Sequence, residues 1–81
     1  MYYLYILQCV DAMLYTGITT DLKRRVAEHN GLGKLGAKYT AGRRPVKLVF
    51  SKKFKTRSAA SQEEARVKKM SRKEKLSLIG A

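Results

Sequence analysis

A chain of 81 residues with 18 Lys and Arg against 6 Asp and Glu carries a formal charge of +12; it has room for one small core, and self-repulsion on that scale calls for a polyanionic partner. No stretch approaches the roughly 18 apolar residues of a membrane-spanning helix, and the apolar start has no basic leader of the kind a signal peptide carries, so a cytoplasmic protein with no membrane partner is expected. The single cysteine, Cys9, excludes an internal disulfide and a cysteine zinc cluster, and its apolar surroundings make it a small core residue.

Residues 2–9, YYLYILQC, are aromatic and aliphatic throughout, the pattern of a strand covered on both faces. Residues 10–13 form a turn around Asp11, and residues 14–18 a second strand, so the first two elements are expected to pair as an antiparallel hairpin. Thr19 and Thr20 are N-cap candidates for a helix with Asp21 in its first turn. That helix sets Leu22, Val26 and His29 on one face and stops at Asn30-Gly31. Residues 31–45 hold four of the six glycines, the only proline, and Lys34, Lys38, Arg43 and Arg44. They predict a long loop, and long loops in small domains are usually functional or mobile.

Residues 46–50 alternate and read as a third strand that ends near Phe54. Ser58 is expected to cap a second helix over 58–70, with Ala59, Ala60, Val67 and Met70 inward. Ser71 is expected to cap a third that ends at Gly80, with Leu76 and Ile79 inward. The order is β-β-α-β-α-α, an α+β fold in one domain over residues 1–81. A crossover from strand two through the helix would lay strand three beside strand one, antiparallel to it. Strand one would then be the centre of a three-stranded antiparallel or mixed sheet flanked by helices.

Tyr5, Tyr15 and Arg25 follow one another at intervals of ten, and Tyr15 opens the tripeptide Tyr15-Thr16-Gly17 at the strand–turn–helix junction. A hairpin loop of odd length, or a bulge, places both phenols on one face of the sheet; an even loop separates them. Each residue also has a plainer reading. Tyrosines fill strands and cores, Gly17 bends a strand end, and Arg25 lies on a basic helix beside Lys23 and Arg24.

Taken together, these residues resemble the GIY-YIG nuclease superfamily, and the length and layout resemble its small stand-alone bacterial members. The first motif reads Tyr3-Leu4-Tyr5, with tyrosine where the family name has glycine, and the second reads Tyr15-Thr16-Gly17. The segment LYTGITTDLKRRVAEHN, with Arg25 and His29, and the later segments GAKYTAGRRP and ARVKKMSRKEKLSLI extend the likeness over nearly the whole chain. The resemblance implies the same β-β-α-β-α-α fold and metal-dependent hydrolysis of nucleic-acid phosphodiesters. It matches the family's catalytic residues to Tyr5, Tyr15, Arg25 and His29. The family's metal-binding glutamate precedes an apolar residue by three and a lysine by four, which fits Glu64 with Val67 and Lys68. Glu63 projects nearer the centre of the apolar stripe, whereas Glu64 lies at its margin, where a metal ligand reaches solvent.

The implied chemistry is consistent with the side chains. A phenol has a pKa near 10 and must be lowered by roughly three units to act as a base near neutrality; a divalent cation, Arg25 and basic surroundings all favour phenolate. Which of Tyr5 and Tyr15 is the base stays open. Arg25 offers a fork of donors to the scissile phosphate, and Glu64 would hold one Mg²⁺ or Mn²⁺ through oxygen. His29 would orient a tyrosine or the phosphate, or simply end its helix; Asp21 and Glu28 read as helix-surface residues. Ile18 stands where the family often has lysine, and Leu76 or a neighbour where many members have asparagine. Phosphate contacts then fall to Gly17, Lys34, Lys38, Arg43 and Arg44. DNA is the expected partner, in repair or processing, with target choice set by nicks, branches or single strands or by a protein partner. Two alternatives remain open: a non-catalytic basic module that binds nucleic acid on the same fold, and a ribosome- or assembly-associated protein.

Overall fold

The apolar run near the start of the chain becomes β1 (Tyr2–Gln8), followed by β2 (Leu14–Thr19), α1 (Leu22–His29), β3 (Lys47–Phe54), α2 (Arg57–Lys68) and α3 (Arg72–Gly80). This computed structural model describes residues 1–30 and 45–80. Lys34, Lys38, Arg43 and Arg44, and most of the loop read at 31–45, lie outside the described residues. The sheet order is β2-β1-β3, and both pairings are antiparallel. The central place of β1 accounts for its unbroken apolar sequence: Leu4, Tyr5, Ile6 and Leu7 are each at most 1% exposed.

Alternation along β1 divides the core in two. Tyr5 and Leu7 join Cys9 and Val46 on one face, where Leu22 and Val26 of α1 pack. Leu4 and Ile6 point to the other face, against Val67 of α2, Met70, and Leu78 and Ile79 of α3. The fold is therefore α+β, with α1 on one side of the sheet and α2 and α3 on the other.

Local chemistry sets the ends of the elements. The hairpin turns through Asp11, whose Oδ1 accepts the Met13 N–H at 3.2 Å, and Ala12 takes the left-handed conformation at φ 67°. Asp21, rather than Thr19 or Thr20, is the N-cap of α1: its Oδ1 accepts the Arg24 N–H at 3.1 Å. A carboxylate caps better than threonine and complements the helix dipole. The Thr19 hydroxyl instead accepts the Asp21 N–H at 3.1 Å. Thr56, not Ser58, caps α2 and accepts from Ala59 N at 3.1 Å, because β3 runs almost directly into the helix and Thr56 is the last extended residue. Ser71 caps α3 in a reciprocal pair: its Oγ accepts the Glu74 N–H at 3.2 Å, and Glu74 Oε1 accepts the Ser71 N–H at 3.0 Å. Leu76, expected inward, is 43% exposed. The inward face of α3 is that of residues 75, 78 and 79, so Leu78 takes the place beside Ile79.

Candidate active site

The hairpin register pairs Tyr5 with Gly17 and Leu7 with Tyr15. The loop between the paired ends is residues 9–13, an odd number, so both phenols face α1. Their ring centroids lie 6.4 Å apart. The Tyr5 ring crosses directly over Gly17: a Cβ built on that glycine would meet Tyr5 Oη at 2.5 Å and Cζ at 2.7 Å. The missing side chain at Gly17, itself buried, is thus the space the phenol occupies.

Arg25 and His29 come from α1, one turn apart. His29 is fully buried and completes a triangle of rings, 5.9 Å from Tyr5 and 5.1 Å from Tyr15 between centroids. Its Nε2 lies 3.1 Å from Tyr5 Oη. The Arg25 guanidinium also hydrogen-bonds the Tyr5 phenol. The direction of the Tyr5–His29 bond follows the His29 tautomer: Nε2 accepts the phenol proton when the ring proton is on Nδ1, and donates when it is on Nε2.

The electrostatics follow from burial. Tyr5 is 1% exposed, and desolvation pushes its pKa above the ordinary 10.0. Arg25 draws it down through its hydrogen bond, and the phenol of Tyr15 and the carboxylate of Glu64 push it further up. Burial works against the charge of Arg25, but its hydrogen bonds to Tyr5 and Glu28 outweigh that and hold the pKa above its usual value. A protonated phenol beside a permanent cation is the resting state of this corner.

Glu64 reaches the site from α2, close enough for its charge to act on the Tyr5 phenol. Its carboxylate is 3.3 Å from Lys68 Nζ, the i+4 partner, and its side chain is 23% exposed. Glu63 is committed elsewhere: Arg66 grips both its oxygens at 2.6 and 2.7 Å, and Lys52 of β3 lies 3.8 Å away. Among the described residues no group of three or more His, Cys, Asp or Glu gathers to hold a metal. That donor set does not suit zinc. One carboxylate beside a phenol does suit a hard cation that keeps several waters and takes phosphate oxygens.

The structure therefore brings together Tyr5, Tyr15, Arg25, His29 and Gly17, while Glu64 acts on the Tyr5 phenol through its charge. Two further residues shape the site. Glu28, read from sequence as a surface residue, has a side chain only 13% exposed and holds Arg25 Nη1 at 3.0 Å. The i+3 spacing from Arg25 was its only signal. Asn30 clasps the chain where it returns from the loop: its Nδ2 donates to Val46 O at 3.1 Å, and its Oδ1 accepts the Val46 N–H at 2.6 Å.

Comparison with known proteins follows the same lines. Residues 1–77 match the family described as the GIY-YIG catalytic domain. A UPF0213 protein of Syntrophus aciditrophicus is 54% identical over 77 residues, covering 95% of this chain and 87% of that one. A UPF0213 protein of Natronomonas pharaonis is 51% identical over 78 residues, covering 96% and 89%. The solution NMR structure of the UPF0213 protein BH0048 from Bacillus halodurans aligns with a TM-score of 0.63 at 43% identity, over 99% of this chain and 84% of that chain. That of protein EF2693 from E. faecalis aligns with a TM-score of 0.64 at 40% identity, over 98% and 82%.

Proposed function

The chain belongs to the GIY-YIG catalytic domain family, and from that membership we propose that it is an endonuclease that hydrolyses nucleic-acid phosphodiesters with one Mg²⁺ or Mn²⁺. DNA is its substrate, in repair or processing, and it acts in the cytoplasm as one domain over residues 1–81. The observation that carries this reading is the meeting at the Tyr5 phenol of Arg25, His29, the Tyr15 ring and the charge of Glu64, contributed by β1, β2, α1 and α2.

The roles divide by exposure. Tyr5 is sealed and held protonated, so it works as a hydrogen-bonding post that orients His29 and Arg25. Tyr15 is half-buried and is the phenol an attacking water can reach. In its phenolate form, its own proton released to solvent beforehand, it takes the water's proton, with the His29 ring packed against it. Arg25, kept cationic and aimed by Glu28, receives the scissile phosphate through its donor fork. Glu64 is the residue that would hold the divalent ion, its carboxylate lying 3.3 Å from Lys68 Nζ. When bound, such an ion would supply Lewis-acid polarisation of the phosphate and charge stabilisation of the leaving oxygen.

The test is incubation with duplex, nicked, branched and single-stranded DNA and with RNA, with Mg²⁺, with Mn²⁺ and with chelator. Cleavage that needs the metal is expected. Salt-sensitive binding with no cleavage of any substrate would replace this reading with that of a non-catalytic binding module.

A further inference from the structure

The α1 face of the sheet is built of cross-strand rows. Tyr15, Leu7 and Leu48 make one row; Gly17, Tyr5 and Ser51 the next; Thr19, Tyr3 and Lys53 the third. Helix α1 covers the first row and closes on the second, since Leu22 and Val26 pack against Tyr5, Leu7, Cys9 and Val46. The third row lies outside that cluster. Tyr3 belongs to neither apolar cluster of the described residues. It is half-buried, as is Thr19, while Lys53 and Ser51 are exposed. A core-filling role for the Tyr3 ring therefore has no support in its packing.

Tyr3 and Tyr5 are same-face neighbours on one strand, about 6.8 Å apart along it at ~3.4 Å per residue. Directly across from Tyr3 stands Lys53. Its neighbour Lys52 points to the opposite face and lies 3.8 Å from Glu63, whereas among the described residues Lys53 has no carboxylate at ion-pair distance. An aromatic face and an uncommitted ammonium thus adjoin the row that holds Tyr5.

We propose that Tyr3 and Lys53 form a nucleotide subsite next to the reacting groups: Tyr3 stacks the base of an unpaired nucleotide adjoining the scissile phosphate, and Lys53 holds that nucleotide's phosphate. Aromatic rings take base faces with little sequence preference. A paired base already has both faces occupied by the stack, and freeing one costs energy. The subsite therefore favours a single-stranded, frayed or flap segment of DNA or RNA over an intact duplex. It deepens the nuclease reading and rests on it for its place beside a scissile bond.

Binding without divalent metal tests the subsite apart from hydrolysis. The probes are single-stranded oligothymidylate and oligouridylate carrying one fluorescent aminopurine, and a blunt DNA duplex. The parent should quench the aminopurine by stacking. Tyr3→Ala and Tyr3→Leu, the second keeping apolar bulk, should each weaken single-strand binding roughly tenfold or more and lose the quenching. Tyr3→Phe should bind as the parent does, and duplex binding should change little in any of them. Lys53→Gln should flatten the dependence of log affinity on log salt by about 0.7 for a single strand. Tighter binding of the oligothymidylate is expected, and tighter binding of the oligouridylate would overturn DNA as the substrate. The subsite is wrong if Tyr3→Leu binds single strands as tightly as the parent, if the parent leaves aminopurine unquenched, or if Tyr3→Phe loses as much as Tyr3→Leu. Tyr3-dependent binding by a protein that cleaves nothing would sink hydrolysis and keep the subsite. Metal-dependent cleavage with no Tyr3 dependence of binding would do the reverse.

Discussion

Gly17 and Tyr5 work as one unit. A methyl group at position 17 would stand 2.5 Å from Tyr5 Oη, and the ring cannot swing aside without leaving both His29 and Arg25. Gly17→Ala should therefore lower stability by about 1–3 kcal/mol, as overpacking does, and should also displace the phenol. Its denaturation midpoint and cleavage rate should both fall, and a midpoint at the parental value would show that the space is not filled. The protonation of Tyr5 is a second consequence. Burial raises its folded-state pKa above 10.0, so its contribution to stability is complete below pH 10 and is lost as pH rises through the raised value, where the unfolded chain releases the proton first. Phenolate absorbance should show one phenol still protonated above pH 10 in the parent and missing from Tyr5→Phe; identical titrations would contradict this. The sequence reduced the common face of the two tyrosines to one question, the parity of the hairpin loop, and only the strand register answers it. Glu28 was not legible, because a carboxylate three residues from an arginine on a basic helix is ordinarily a solvated pair, and only packing reveals that this one is largely shielded from solvent.

Among the elements, the Asn30 side chain acts as a rung between the end of α1 and the approach to β3, bonding both the N–H and the C=O of Val46. Val46 is buried at 6% exposed, so removing the amide leaves backbone groups without partners. Asn30→Ala should cost about 1–3 kcal/mol and speed hydrogen exchange at the Val46 amide; unchanged exchange would mean that the rung bears no strain. Asn30 was legible as a helix stop, whereas its hold on Val46 joins residues far apart in sequence that no local pattern connects. The element order and the central place of β1 were legible because a run apolar on both faces fits only the middle of the sheet. Helix starts were less so, since Thr19, Thr20 and Asp21, like Thr56 and Ser58, offer neighbouring oxygens of which only one meets the first turn. The inward face of α3 was ambiguous for a related reason: Leu76, Leu78 and Ile79 fit two helix faces in so short an element, and contact with the sheet selects 78 and 79.

Across the whole molecule, a charge of +12 on 81 residues sets the mode of approach to the partner. Affinity for nucleic acid should fall linearly in log–log terms as salt rises, and a salt-independent affinity would point to a different partner. No helix among the described residues is long and apolar enough to cross a membrane. Arg25 of α1 and the charge of Glu64 of α2 both bear on the Tyr5 phenol, and everything proposed for catalysis depends on their acting together. Single-turnover cleavage with Mn²⁺ by the parent and by Tyr15→Phe, Arg25→Ala and Glu64→Gln, each checked for parental thermal unfolding, reads that cooperation directly. Each folded variant should be slower by roughly a hundredfold or more; cleavage by all three at the parental rate would contradict it.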